Sequence, residues 1–380
     1  MKFKQILTLG IALFAMFFGA GNVVFPLDLG RVMGDHVAFA ILGLFLSAVL
    51  MPLIGICAGA LFEGDYRSFF GRLGYVPGEI FAFLCMVLIG PFGAIPRTIT
   101  LSHASLSWYF PQLPLWLFSI MGSLVVFFFT IRKGKVVDII GRYLGPLKIG
   151  LLSAIIISGF FVAPSILRTN YTGMESFMSG LLEGYNTLDL LGAVFFSKLI
   201  FLSLSSHAYS SQKQLVRDLM KAGAIGAVLL GIVYAGFMIT SASHGGQVTF
   251  VSRDQLICAL ADYLLGHLGV LAGFTVAVAC LTTAIALTAI FSDYLSTNLF
   301  RGKLPYAAAV ATSVVITGAL ANLGFNGIMK TILPVIMILY PAMIVLSVVN
   351  ILYKTVGFKP VKIPVYATLG MSIAHYFNFF

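Results

Sequence analysis

A chain of 380 residues that is 59% hydrophobic and 9% charged, with a mean hydropathy of +1.02, is not a soluble domain, in which about a quarter of the residues carry charge. It reads as a polytopic membrane protein whose solvent is the lipid bilayer. The net charge of +10 does not indicate a nucleic-acid partner, because the basic residues fall in short loops between apolar runs, as topology determinants do.

With about 20 apolar residues per crossing as the ruler, eleven spans are expected in chain order. They run from Gln5 to Leu27, Val37 to Phe62, Tyr75 to Thr100, Leu113 to Ile131, Tyr143 to Pro164, Leu188 to Ala208, Ala222 to Ser241, Gly266 to Ser292, Leu304 to Asn322, Ile328 to Tyr353 and Ile363 to Phe380. The basic start Met1-Lys2-Phe3-Lys4 leads into a long apolar run that reaches Pro26 and Asp28 without an A-x-A site. This reads as an uncleaved first span rather than a signal peptide.

Alternate loops differ in basic content. One side carries Lys2, Lys4, Arg67, Arg72, Arg132, Lys133, Lys135, Arg142, Lys148, Lys213, Arg217, Lys221, Arg301, Lys303, Lys354, Lys359 and Lys362, the other only Arg31, Arg97, Arg168 and Arg253. The positive-inside bias therefore places the N-terminus in the cytoplasm. Cys57, Cys85, Cys258 and Cys280 sit mostly within apolar runs, without disulfide-framework or metal-ligand spacing, and read as small packing residues.

Four spans carry irregular sequence, the tenth through Pro334 and Pro341. The first contains Phe17-Phe18-Gly19-Ala20-Gly21-Asn22-Val23-Val24-Phe25-Pro26, the third Gly90-Pro91-Phe92-Gly93-Ala94-Ile95-Pro96-Arg97, and the sixth a hydroxyl run of Ser203, Ser205, Ser206 and His207. Unpaired backbone in hydrocarbon costs several kcal/mol per group, so a break at that depth must be buried in protein or line a polar cavity. Close helix packing at Gly19 and Gly21 is the alternative reading of the first stretch. The first and sixth spans stand five apart. Two five-span units, 5–164 and 188–353, would thus have opposite orientation, with 354–380 as an additional C-terminal span; this is the inverted-repeat arrangement of many secondary transporters.

The eighth span offers oxygens. On a helix the Ala279 carbonyl points toward the hydroxyls of Thr282 and Thr283, and three neutral oxygens at one spot suit a hard cation, although threonines in membrane helices also bond back to preceding carbonyls. Unwinding at Gly19 to Gly21 would free the carbonyls of Ala15 and Phe18. Together these five residues could form a sodium cage.

The first-span and third-span motifs, the latter continuing into Thr98, resemble the branched-chain amino acid:cation symporter family of bacteria, within the amino acid-polyamine-organocation superfamily. The resemblance extends over nearly the whole chain. It implies an all-α, leucine-transporter-like fold: a five-plus-five inverted repeat with discontinuous first and sixth helices. Its sodium site between the first and eighth spans falls on Ala15, Phe18, Ala279, Thr282 and Thr283 here, with a second cation position at Asn22. Members are as a rule longer, with twelve spans.

On this reading the N–H groups of Gly19, Ala20, Gly21 and Asn22 bind an amino acid carboxylate, as helix N-termini bind anions. Carbonyls around Phe201, Ser203 and Ser205 take the ammonium. Apolar side chains of the third and sixth spans enclose an aliphatic side chain. The resemblance implies Leu, Ile and Val as substrates. Lys198, an in-span charge of the kind that faces a cavity or a partner, is a candidate for coupling or gating, together with Arg97 and His207.

No carboxylate is expected clearly at a span centre, which favours sodium as the coupling ion and implies no other cofactor. A proton-coupled importer of another neutral amino acid such as Met, and a passive channel or facilitator, share the topology. An enzyme is excluded by the lack of an H-E-x-x-H motif, of an Asp pair at span depth and of grouped histidines. The expected location is the plasma membrane of a bacterium, the inner membrane in a Gram-negative cell.

Overall fold

The computed structural model describes residues 3–132, 140–162, 166–205 and 212–377. They form eleven successive helical segments, and no strand occurs among them. The first segment is α1 (Phe3–Phe17) and α2 (Ala20–Met33), separated at Phe18 and Gly19. The second is α3 (Val37–Phe45), a π turn at Leu46–Leu50, and α4 (Met51–Leu61). After the short α5 (Tyr66–Phe70), the third is α6 (Tyr75–Ile89) and α7 (Ala94–Ser107). The fourth is α8 (Leu115–Thr130), and the fifth is α9 (Gly145–Gly159), entered through a π turn at Ile140–Leu144.

The sixth is α10 (Gly173–Asn186) and α11 (Asp189–Ser205); the seventh is α12 (Gln212–His244). A short α13 (Leu256–Leu265) precedes the eighth, α14 (Val270–Asp293). The chain closes with α15 (Tyr306–Ala321), α16 (Gly324–Val356) and α17 (Lys362–Tyr376).

The broken first segment lies in the interior: from Ala12 to Leu29 every residue is buried. Its α1 and α2 pack along α12, while α10 packs on α3, α11 on α4 and α7 on α14. Small residues permit these approaches. A Cβ on Gly30 would lie 2.3 Å from the Met238 carbonyl oxygen, and one on Gly43 would lie 2.0 Å from that of Phe177. With hydrocarbon outside, such close contact rather than water exclusion holds the helices together.

The third segment opens where its sequence predicts, between Ile89 and Ala94, with Gly90 and Gly93 in non-helical conformations. The sixth does not. It begins at Gly173 rather than Leu188, breaks at Thr187 and Leu188, and is helical through Ser203 and Ser205; Ser206 and His207 lie outside the described residues. Leu188 holds φ +63, a left-handed conformation that costs a non-glycine residue roughly 1–2 kcal/mol. Neither Gly nor Pro marks the place.

Candidate substrate and cation site

The breaks of the first and sixth segments meet in the interior and share a cavity. Its lining includes Phe17, Gly19, Ala20, Gly21, Asn22, Ile89, Arg97, Asp189, Phe196, Thr283 and Leu287. The cavity measures about 20 Å³, room for roughly one water molecule, so an amino acid can occupy it only when the walls part. Gly19 and Gly21 serve both readings of their motif. A Cβ on Gly19 would lie 2.8 Å from the Thr283 methyl group, and one on Gly21 would lie 3.1 Å from the Thr187 Cα. Close approach is what brings α14 and the sixth-segment break to the first-segment break.

The start of α2 faces a buried polar centre. Asn22 closes its own helix start, its Oδ1 accepting from the Gly19 N–H at 3.0 Å. Its Nδ2 donates to Asp189 Oδ2 at 2.6 Å and also to the Tyr234 hydroxyl, which in turn donates to Asp189 Oδ2 at 2.8 Å. Asp189 is the first residue of α11 and is buried; a carboxylate there is favoured by the positive end of the helix. Across the cavity Arg97, 2% exposed, donates from Nη1 to the Asn186 carbonyl at 2.8 Å and leaves its buried Nε without a partner. The cavity therefore holds one carboxylate, one guanidinium and the first-turn N–H groups of α2, which have no acceptor within their own helix.

The end of α1 faces the second centre. The Thr282 hydroxyl lies 3.0 Å from the Ala15 carbonyl oxygen and 2.8 Å from that of Ala279. The Thr283 hydroxyl lies 3.5 Å from both carbonyls. Ala15, Phe18, Ala279, Thr282 and Thr283 are thus brought together, and the threonines also make the bonds back to Ala279. The group at their middle is one that sequence reading assigned to a loop. Lys148 of α9, fully buried, donates from Nζ to the Ala15 carbonyl at 2.8 Å, to Thr282 Oγ1 at 2.7 Å and to the Phe18 carbonyl.

Other expected residues lie elsewhere. Phe201 is about 20 Å along α11 from Leu188 at 1.5 Å per residue and does not line the cavity; Ser203 and Ser205 lie further along the same helix, and their side chains are outside the described residues. The acidic residue that does border the cavity is Asp189. Because the sixth segment begins at Gly173 and not at Leu188, Asp189 lies at its internal break, and the expectation that no carboxylate sits at a span centre is corrected. Lys198, half-buried at the middle of α11, pairs with Asp293, the last residue of α14, at 2.8 Å, with its ammonium 4.7 Å from the Tyr66 ring centroid. His207 lies outside the described residues.

Helices that are broken in pairs around buried polar groups, inside an apolar bundle, define a membrane transporter and not an enzyme. The family described as "Branched-chain amino acid transport protein" matches residues 2–378, and the chain belongs to it. Among curated relatives, the branched-chain amino acid permeases BrnQ and BraB of Bacillus subtilis (strain 168) are 34% and 32% identical. Each is matched over 92% of this chain, and over 82% and 80% of its own length respectively.

Solved transporters are similar in fold at low identity. A manganese transporter of Eremococcus coleocola has a TM-score of 0.63 at 15% identity, covering 99% of this chain and 96% of that one. MhsT in complex with L-phenylalanine has a TM-score of 0.59 at 12% identity, covering 97% of each chain. The fold is the leucine-transporter-like five-plus-five inverted repeat of transmembrane helices.

Proposed function

We propose that this chain is a secondary active importer of the neutral branched-chain amino acids Leu, Ile and Val, working by alternating access in a bacterial plasma membrane with its N-terminus in the cytoplasm. The observation that carries the reading is the buried cavity at the paired helix breaks, lined by groups of both signs. A zwitterion needs a donor set for its carboxylate and an acceptor for its ammonium. Ala20, Gly21 and Arg97 supply the first, and Asp189 supplies the second. Phe17, Ile89, Phe196 and Leu287 border the same space and offer an apolar wall for an aliphatic side chain. The names of BraB and BrnQ agree with this substrate class.

Accumulation requires a coupled ion. One positive charge crossing about 100 mV releases about 2.3 kcal/mol, and a tenfold ion gradient adds about 1.4 kcal/mol. Together these support accumulation of a neutral zwitterion by several hundredfold. The five oxygens of Ala15, Phe18, Ala279, Thr282 and Thr283 favour sodium as that ion by their chemistry. The position of Lys148 among them favours the proton-coupled reading instead.

The test is uptake of radiolabelled leucine into proteoliposomes holding the purified protein, under an imposed sodium gradient and separately under an imposed proton gradient. Accumulation under either, competed by excess Ile and Val, supports the importer. Equilibration without accumulation would make it a facilitator, and competition by Met but not by Ile or Val would overturn the substrate class.

A further inference from the structure

We infer that Lys148 is the resident cation of the oxygen cluster between the first and eighth segments: its tethered ammonium fills the position a sodium ion would take, and this chain binds no sodium there. The inference deepens the importer reading by addressing its coupling ion, and it rests on the placement of Lys148 rather than on any transport measurement.

The hydrogen-bond inventory is complete. An ammonium has three N–H donors, and Lys148 Nζ meets three oxygens, those of Ala15, Phe18 and Thr282. The Thr282 hydroxyl accepts from Lys148 and keeps its own proton for the Ala279 carbonyl at 2.8 Å. Three of the five oxygens expected to hold sodium are therefore bound to Nζ, and a fourth is bound to one of those three.

The charge is also provided for. Among the described residues no carboxylate pairs with Lys148; its neighbours are carbonyls at the C-terminal end of α1, where the helix dipole is negative, and the Phe18 ring, whose centroid is 5.4 Å from Nζ. Titratable groups nearby are Cys280 on α14 and, beyond the Phe18 ring, Tyr234 on α12, with Asp189 of α11 on the far side of Asn22. The surroundings suit one positive charge, which is already present. A second would have to share the same oxygens at contact distance.

The geometry also assigns Lys148 a mechanical role. It ties α9 to the end of α1 and to the middle of α14, so these three segments are joined at one atom while the ammonium is seated.

The test uses the purified full-length protein and needs no substrate. Thermal unfolding is followed while sodium chloride replaces choline chloride at constant ionic strength. The wild-type midpoint should not respond to sodium. K148A, which removes the ammonium and leaves its space beside the oxygens, should gain a saturable sodium-dependent rise. A saturable, sodium-specific rise in the wild type would overturn the inference, and so would a folded K148A that stays blind to sodium. Should K148A fail to fold, the wild-type titration decides alone. Because the readout involves no amino acid, the inference can fail while the importer stands, and leucine uptake can fail while the wild type remains indifferent to sodium.

Discussion

The two sides of the first-segment break differ in sign. On one side α1 ends, and its released carbonyls at Ala15 and Phe18 turn toward the ammonium of Lys148. On the other side α2 begins, and its capping residue Asn22 turns toward the carboxylate of Asp189. Helix ends carry partial charges of opposite sign, negative at the C-terminus and positive at the N-terminus. Interrupting one helix therefore creates a cation seat and an anion seat two residues apart. The cation seat is saturated by the protein's own side chain. The anion seat opens on a cavity where Arg97 Nε lacks a partner, and on the proposed reading this asymmetry divides a structural cation from the groups that would meet a substrate.

The largest expected effect comes from emptying the saturated side. Lys148→Met keeps the chain length and removes three donors, leaving the Ala15 and Phe18 carbonyls buried without them. An unsatisfied buried group costs about 1–3 kcal/mol, so a drop of a few kcal/mol in stability is expected, read as a lower thermal midpoint, together with loss of leucine accumulation. Normal stability and normal uptake in this variant would mean that the cluster needs no cation.

The open side should respond differently. Asp189→Asn preserves the shape and removes the charge. Hydrogen bonds to charged groups are worth about 1.5–3 kcal/mol, so leucine affinity should fall by roughly 10- to 100-fold while the protein keeps the wild-type indifference to sodium. Equilibrium binding of labelled leucine checks this; unchanged affinity would remove Asp189 from the substrate site and leave it a structural partner of Asn22 and Tyr234.

Glycine substitutions sharpen the comparison further. On Gly19 a Cβ would press on Thr283 of the cation side, whereas on Gly21 it would press on Thr187 of the sixth-segment break. Overpacking of this kind costs typically 1–3 kcal/mol. Gly19→Ala should mainly lower the thermal midpoint, and Gly21→Ala should mainly weaken leucine binding. Equal effects of both on both readouts would show that the two sides are not energetically separate.

What the sequence reveals follows the same division. The break in the first segment is legible because it is written in glycines and an asparagine at a depth where a membrane helix should be regular, and the convergence of Ala279, Thr282 and Thr283 follows from helical spacing alone. The break in the sixth is not legible: Thr187-Leu188-Asp189 contains no helix breaker, and its left-handed Leu188 is buried and bonded through its own N–H to the Tyr185 carbonyl and through its carbonyl to the Gly192 N–H. The serine run was the more conspicuous signal and pointed about 20 Å away. Lys148 was hidden by its neighbourhood, following Arg132, Lys133, Lys135 and Arg142 closely enough to be counted with a basic loop. Its position within the expected fifth span, Tyr143 to Pro164, was the available clue, since a lysine inside a span needs a polar partner.

The smallest effect is expected at Lys198, another lysine within a span, and it tests whether burial or mere location makes a lysine matter here. Lys198 pairs with Asp293 at 2.8 Å, with 23% and 15% of the two side chains exposed. Partly hydrated pairs of this kind contribute at most about 1 kcal/mol, against the several expected for Lys148. Lys198→Ala should therefore leave the thermal midpoint close to wild type. The pair bridges α11 and α14 and neither of its residues lines the cavity, so its loss should change the rate of leucine uptake more than leucine affinity. A fall in affinity as large as that of Asp189→Asn would place Lys198 in contact with substrate during the cycle, and would make the sixth segment, rather than the first, the place where the two charged seats are coupled.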